Sequence, residues 1–302
     1  MVTFKPVTIE DKEIFDFYLK QKYYEGSEYT FTNFYIWRNI LSIEWALVDE
    51  LLYVKATDLD KEKPYILPPL GINNEENMEK SLLKVKDYFL KAGFPFTIRA
   101  ITQEIKELME SLFSGQLIFT EERELFDYVY LVDDLVNLKG RRYHRKRNHI
   151  KNFKKLYSNY QLHPLTEDLI PGCIVNLKEW CEKRDCKKDP SLLCEQEAII
   201  EALEKFSQLD YIGAVMLVDD KIEGFTLGEK LNKDTVVIHA EKGNVDLKGI
   251  YPTINQEFLK MYWSEMTYVN REEDLGREGL RKAKMSYYPF KLVVKYKGEY
   301  VG

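Results

Sequence analysis

Apolar positions along the chain alternate at the period of a strand or recur at the period of a helix, and the switches between the two mark its elements. Residues 2–7 read as a short strand, and a helix follows from about Asp11 with Ile14, Phe15, Tyr18 and Leu19 as its stripe. After a tyrosine-rich loop, residues 32–40 look helical, with Phe34, Trp37 and Ile40 on one side. Residues 45–48 and 51–55 form a hairpin around Asp49 and Glu50, and 65–67 add a third strand. A helix over 77–92 stops at Gly93, then come a strand (96–100), a helix (103–113) and a strand (126–132). The order is β–α–α–β–β–β–α–β–α–β.

The same order returns further on. Residues 160–164 are a strand, 172–183 and 191–206 helices, and 211–218 with 223–230 a hairpin at Asp219 and Asp220. Strand 236–241, helix 253–263, strand 266–269, helix 279–286 and strand 292–296 complete the second series. This repetition predicts two similar α/β domains, 1–138 and 158–302, joined by residues 139–157. The length of 302 residues suits two cores of roughly 150 residues each.

The joining segment changes the picture most. KGRRYHRKRNHIKNFKK, residues 139–155, holds nine Lys/Arg and no acid in a chain of net charge −6, which leaves −15 for the rest. It reads as a helix over 142–157, with Ile150, Phe153 and Tyr157 as an apolar line and the cations off that line. Clustered cations attract polyanions, so Arg141, Arg142, Arg145, Lys146 and Arg147 are candidate RNA or phosphate contacts. The plainer alternative is a solvated basic helix.

Composition adds bounds. Apolar residues make 45% and aromatics 14%, which is globular rather than disordered. The N-terminal residues lack the basic and apolar regions of a signal peptide, and no apolar run approaches the ~20 residues that span a bilayer. A soluble, cytoplasmic protein without an integral membrane segment is expected. Cys173, Cys181, Cys186 and Cys194 show no CxxC pair and lie apart from the histidines, so no metal site is expected. Cys173, Leu177 and Cys181 share a helical face, which suits core packing with reduced thiols.

The repeated order is that of the GNAT (N-acetyltransferase) fold, and a tandem pair resembles the Fem-type peptidoglycan aminoacyl transferases. VNREEDLGREGLRKAKMSYYPFKLVVKY at 269–296, HAEKGN at 239–244, TFTNFYIWR at 30–38 and KGRRYHRKRNHI at 139–150 resemble the phosphatidylglycerol lysyltransferase C-terminal domain family. The resemblance implies a tandem GNAT fold joined by the basic helix. It also implies transfer of an aminoacyl group from aminoacyl-tRNA to a hydroxyl or amine acceptor. Family members that modify lipids resemble this sequence in their soluble part and carry a multispanning membrane region besides. These residues contain no such region, which argues against a lipid acceptor and leaves a peripheral approach to a lipid as the alternative.

Candidate chemistry follows from these blocks. Strand alternation puts His239 and Glu241 on one face, either one a base for an attacking amine or hydroxyl, with a structural His–Glu hydrogen bond as the alternative. Lys242 lies on the other face and is a candidate substrate contact. Asn270, Arg271 and Asp274 sit at a strand end, where α/β proteins place site residues, although Asp274 also suits a cap. Arg281 and Lys284 belong to a cationic stripe that, with Lys295, would hold a phosphate or an ester oxyanion. Asn33 and Trp37, with Tyr29, Thr30 and Tyr35, suit an aminoacyl or adenosine end. No cofactor or metal is required, because an aminoacyl ester is already activated. An acyl-CoA donor is the alternative. Its pyrophosphate would sit before the 253–263 helix, where Asp246 replaces the usual Gln or Arg and Tyr251 the last small residue. A third reading is a non-catalytic RNA- or phosphate-binding protein on a transferase scaffold. The amino acid and the acceptor are not specified.

Overall fold

The computed structural model describes residues 2–58, 63–72, 75–113 and 115–302. The first unit opens with β1 (Lys5–Pro6) and α1 (Lys12–Leu19), shorter at the strand than the apolar pattern suggests. Helix α2 (Phe31–Trp37) is started by Thr30, whose hydroxyl accepts from the Asn33 amide at 3.1 Å. β2 (Glu44–Val48) and β3 (Leu51–Thr57) turn through Asp49 and Glu50, both at positive φ, a two-residue turn whose twist matches that of the strands. β4 (Pro64–Ile66), α3 (Glu75–Lys91), β5 (Thr97–Ile101), α4 (Gln103–Phe113) and β6 (Leu117–Glu121) follow. Tyr53, Leu82, Val85, Phe89, Phe96 and Ile98 form the core beneath α3 and α4.

The second unit begins with β7 (Asp127–Leu131) and the short α5 (Val132–Asn137). The basic helix, α6 (His144–Leu156), docks as its apolar line requires. Phe153 joins Met216, Val218, Ile250 and Ile254 in one cluster, and Ile150 packs with Leu138 and Tyr143. Burying a side chain of Phe153's size contributes about 2–3 kcal/mol, so the cations on the other faces of α6 have fixed directions. Then come β8 (Tyr160–Pro164), α7 (Ile170–Lys183) and α8 (Pro190–Glu204). α8 is capped by Asp189, with Pro190 at its first position, where a missing N–H costs nothing. β9 (Ile212–Val218) and β10 (Lys221–Lys230) turn through Asp219 and Asp220, again both at positive φ. β11 (Thr235–Gly243), α9 (Ile250–Tyr262), β12 (Tyr268–Asn270), α10 (Glu278–Met285) and β13 (Lys291–Val293) complete the second series. One expectation is corrected here: Cys181 and Cys186, at the end of α7 and just past it, form a disulfide, and Cys173 and Cys194 lie outside that bridge. The turn after α7 brings the two together, a proximity that a search for CxxC spacing does not test.

The last strand, β14 (Tyr296–Tyr300), does not stay with its own half. It lies antiparallel between β5 and β6, so the first sheet runs β1-β2-β3-β4-β5-β14-β6. The second sheet runs β8-β9-β10-β11-β12-β7-β13, with β7 antiparallel to β12. The two orders match position by position, including one parallel step at the middle, β4 to β5 and β11 to β12. Each half therefore gives its final strand to the other half's sheet. Accordingly the compact units are Met1–Asp127 with Glu273–Arg281 and Leu292–Gly302, and Tyr128–Glu272 with Lys282–Lys291. They interleave along the chain where the sequence pattern suggests the consecutive blocks 1–138, 139–157 and 158–302. β6, α5 and β14 are absent from that pattern because β6 is largely exposed and β14, YKGEY, has polar residues at its centre.

Candidate active site

In the second unit, five side chains from five segments converge past the parallel pair of strands. Glu241 projects from β11, whose partner β12 ends one residue before Arg271. The Arg271 guanidinium donates to one Glu241 oxygen at 3.0 Å, and Asn255 of α9 donates to the other at 3.3 Å. Arg271 also lies 5.3 Å from the centre of the Tyr287 ring. On the same ring, at 3.6 Å from its centre, sits the ammonium of Lys146 from the first turn of α6. Tyr143, just before α6, fixes this contact by donating to the Tyr287 carbonyl at 3.1 Å.

The electrostatics follow from burial. Lys146 is pushed down to about 8, first by loss of solvent, then by the neighbouring cations Arg271 and Arg145, with Glu241 offsetting part of this. Burial also raises the Tyr287 hydroxyl. Arg271 is held charged: burial opposes the charge, and Glu241 with Tyr287 and Tyr130 outweighs it.

His239 shares the strand face with Glu241 but not its surroundings. Its Nε2 meets Glu229 of β10 at 2.7 Å and its Nδ1 meets Glu272 at 3.2 Å. Burial disfavours its charge, yet the two carboxylates win and lift it to about 9. With both ring nitrogens donating, His239 clamps two acids and has no lone pair left for an acceptor's proton. That removes it from the role of base.

The other predicted residues divide between the units. In the second, Lys242 points away from Glu241, pairing with Glu195 at 2.7 Å and lying 3.9 Å over Trp180. Asn270 is buried and accepts from the Glu272 amide at 2.8 Å, shaping the turn after β12. Lys284 donates to the carbonyls of Arg271 and Glu272, which holds that turn from below. Among the helix cations, Arg142 pairs with Asp134 at 2.8 Å and Arg147 donates to the carbonyls of Leu138 and Gly140, while Arg141 and Arg145 are exposed.

In the first unit, Arg281 makes a two-bond pair with Asp274 at 2.8 and 2.9 Å, and Arg123 adds a third contact at 3.2 Å. Asp274 also accepts from the Gly276 amide at 2.9 Å. Arg281 and Lys284 are thus engaged separately rather than as one cationic stripe. Lys295 is buried between Glu28 at 2.7 Å and Asp127 at 2.9 Å; burial opposes its charge, and these two acids with Glu273 hold it protonated. Asn33 donates to the Ser27 carbonyl at 3.3 Å, and Trp37 is half-buried.

The start of α9 bears on donor choice. Gly249, at φ +98°, precedes α9 so closely against α6 that a Cβ there would stand 2.5 Å from the His149 carbonyl oxygen. The Ile250 amide is used by the Leu247 carbonyl at 3.1 Å, and Pro252 has no N–H. Two of the first three amides that would face an anion are therefore unavailable.

Residues 21–297 match the family described as phosphatidylglycerol lysyltransferase, C-terminal. The chain belongs to this family. A conserved protein of unknown function from Bacteroides thetaiotaomicron is similar along its whole length, at 32% identity, full coverage of both chains and a TM-score of 0.94. L-PGS from Bacillus licheniformis shares the fold at 12% identity, with 96% of this chain and 92% of that one covered and a TM-score of 0.66. A tandem GNAT protein from the clavulanic acid biosynthesis pathway aligns over 99% and 98% of the two chains at 8% identity and a TM-score of 0.52. The fold is the tandem GNAT fold. An uncharacterised protein of Mycoplasmoides gallisepticum is 23% identical over 172 residues, 56% of this chain, and the match spans about half of that relative, 54%.

Within this lysyltransferase family chain, Tyr287, Asn255 and Glu229 are the site partners that sequence reasoning missed. Asn255 left a trace, a polar residue among the apolar positions of α9, where it is 2% exposed. Tyr287 lies inside the 269–296 block but looks like any core aromatic there. Among the described residues no group of His, Cys, Asp and Glu could hold a metal ion, and no helix is long and apolar enough to cross a membrane.

Proposed function

We propose that this protein transfers an aminoacyl group from aminoacyl-tRNA to an amine or hydroxyl acceptor, with the second unit as the active one. Its family and fold are those of acyltransferases. The observation that carries the finer reading is the cluster itself: a strand carboxylate, Glu241, is oriented by Arg271 and Asn255 at the first turn of a docked basic helix. Glu241 takes the proton of the attacking acceptor, and the Arg271 guanidinium, with donors beyond the one used on Glu241, steadies charge on the carbonyl oxygen. The exposed Arg141 and Arg145 meet RNA phosphates, which places the charged terminus near the cluster.

Acyl-CoA suits this geometry less. Helix α6 lies against the start of α9, the place where a GNAT enzyme receives pyrophosphate, and Pro252 and the occupied Ile250 amide weaken what remains. The test uses total tRNA charged with radiolabelled amino acids and the purified protein. Label should pass to an added amine or hydroxyl acceptor, ribonuclease should abolish transfer, and Glu241→Gln should slow it about 10²-fold or more. Absence of transfer from every charged tRNA, or Glu241-dependent transfer from acyl-CoA instead, overturns the reading.

A further inference from the structure

Lys146 stands apart from its neighbours on α6. Arg141 and Arg145 reach solvent, whereas Lys146 turns inward onto Tyr287 at 3.6 Å, and Tyr287 adjoins the Arg271–Glu241 pair. The amine lies in the first turn of a helix, where exposed amides repel a cation, and no acid of that turn compensates. Such a position is costly for a protonated amine. It is suited to a cation that must give up its proton.

We propose that Lys146 protonates the ribose oxygen that leaves the aminoacyl ester, as the acid counterpart of Glu241. This deepens the aminoacyl-transfer reading and rests on it. The acceptor's nitrogen or oxygen forms the new bond to the carbonyl carbon, and Glu241 receives the proton it loses. Collapse of the tetrahedral intermediate breaks the bond from carbon to the ribose oxygen, and that oxygen takes its proton from the Lys146 ammonium. Passage of the proton from the Glu241 carboxyl to the Lys146 amine, directly or through water, restores both groups, so no further reactant is needed. The charged and titratable groups facing Lys146 are Arg145 on its own helix, Arg271 after β12, Glu241 on β11 and Tyr287 after α10. Together with burial they bring the ammonium to about 8, close to working pH, where a general acid is most effective.

The experiment compares wild type with Lys146→Arg and Lys146→Met in single-turnover transfer from total charged tRNA, with thermal melting as the check on folding. Lys146→Arg keeps the positive charge but cannot release the proton at these pH values. It should bind charged tRNA within about twofold of wild type while transferring about 10²-fold more slowly. The wild-type rate should fall as pH rises through about 8, and this limb should vanish in Lys146→Arg. A donor whose terminal ribose bears fluorine beside the ester oxygen leaves more easily, so it should recover most of the lost rate in both variants. Transfer by Lys146→Arg at the wild-type rate, or a defect indifferent to the fluorinated donor, overturns the assignment while leaving aminoacyl transfer intact. Wild type inactive with every charged tRNA overturns both.

Discussion

His239 and Glu241 lie two residues apart on one strand face, and their partners separate their roles. Alternation along β11 is enough to align the two side chains. It says nothing of Glu229 across the β10–β11 register or of Glu272 beyond β12, and those acids make His239 a cation. The consequence is a pH signature. The folded value of about 9 lies above the unfolded value, so His239 stabilises fully below about pH 6.5 and its contribution is lost as pH rises through about 9. The full effect is about 3 kcal/mol. Urea unfolding at several pH values should show this loss in wild type, and His239→Gln, already weaker at low pH, should lack that part of the slope. A variant with an unchanged slope would contradict the clamp. The same limit explains Arg271: its chain position at a strand end is visible in the sequence, but its pairing with Glu241 depends on the parallel register of β11 and β12.

Among elements, the basic helix was readable because its apolar line and its charge are both local properties, and α6 docks through Ile150 and Phe153 as that line requires. What it docks against was not readable. Gly249 is the point of closest approach, combining φ +98° with a carbonyl 2.5 Å from where a Cβ would be. Gly249→Ala should therefore cost about 2 kcal/mol or more, from backbone strain plus displacement of α6. Thermal melting should show the loss, and the transfer rate should fall with it, because moving α6 moves Lys146. A variant as stable as wild type would mean that α6 is not held there. α10 teaches the reverse lesson. Helical spacing aligned Arg281 and Lys284, yet each is taken up by its own partners, Asp274 for one and two carbonyls for the other. Spacing on a helix cannot reveal what the rest of the chain brings to each residue.

At the scale of the molecule, duplication was legible because the order of strands and helices repeats, and the paired acidic turns at Asp49–Glu50 and Asp219–Asp220 repeat with it. The exchange of final strands was not, since a strand's partner is set by pairing across the sheet rather than by its own pattern. β14 is nearly featureless as a sequence, but it fills the space between β5 and β6, with Gly298 allowing Ile101 and Phe119 to close over it. A chain lacking residues 296–302 should leave both flanking strands with bare edges. Loss of amide-exchange protection in β5 and β6 together, with β9 to β11 still protected, is the expected result; protection retained in β5 and β6 would show that the first sheet stands without β14. The same exchange orders events during synthesis. Roughly 180 residues separate the end of β6 from the end of β14, so at about 5–20 residues per second the ribosome needs about 10–40 s to deliver the missing strand. Throughout that interval the nascent amino-terminal half carries a sheet with an open slot, and it becomes complete only once β14 has been made.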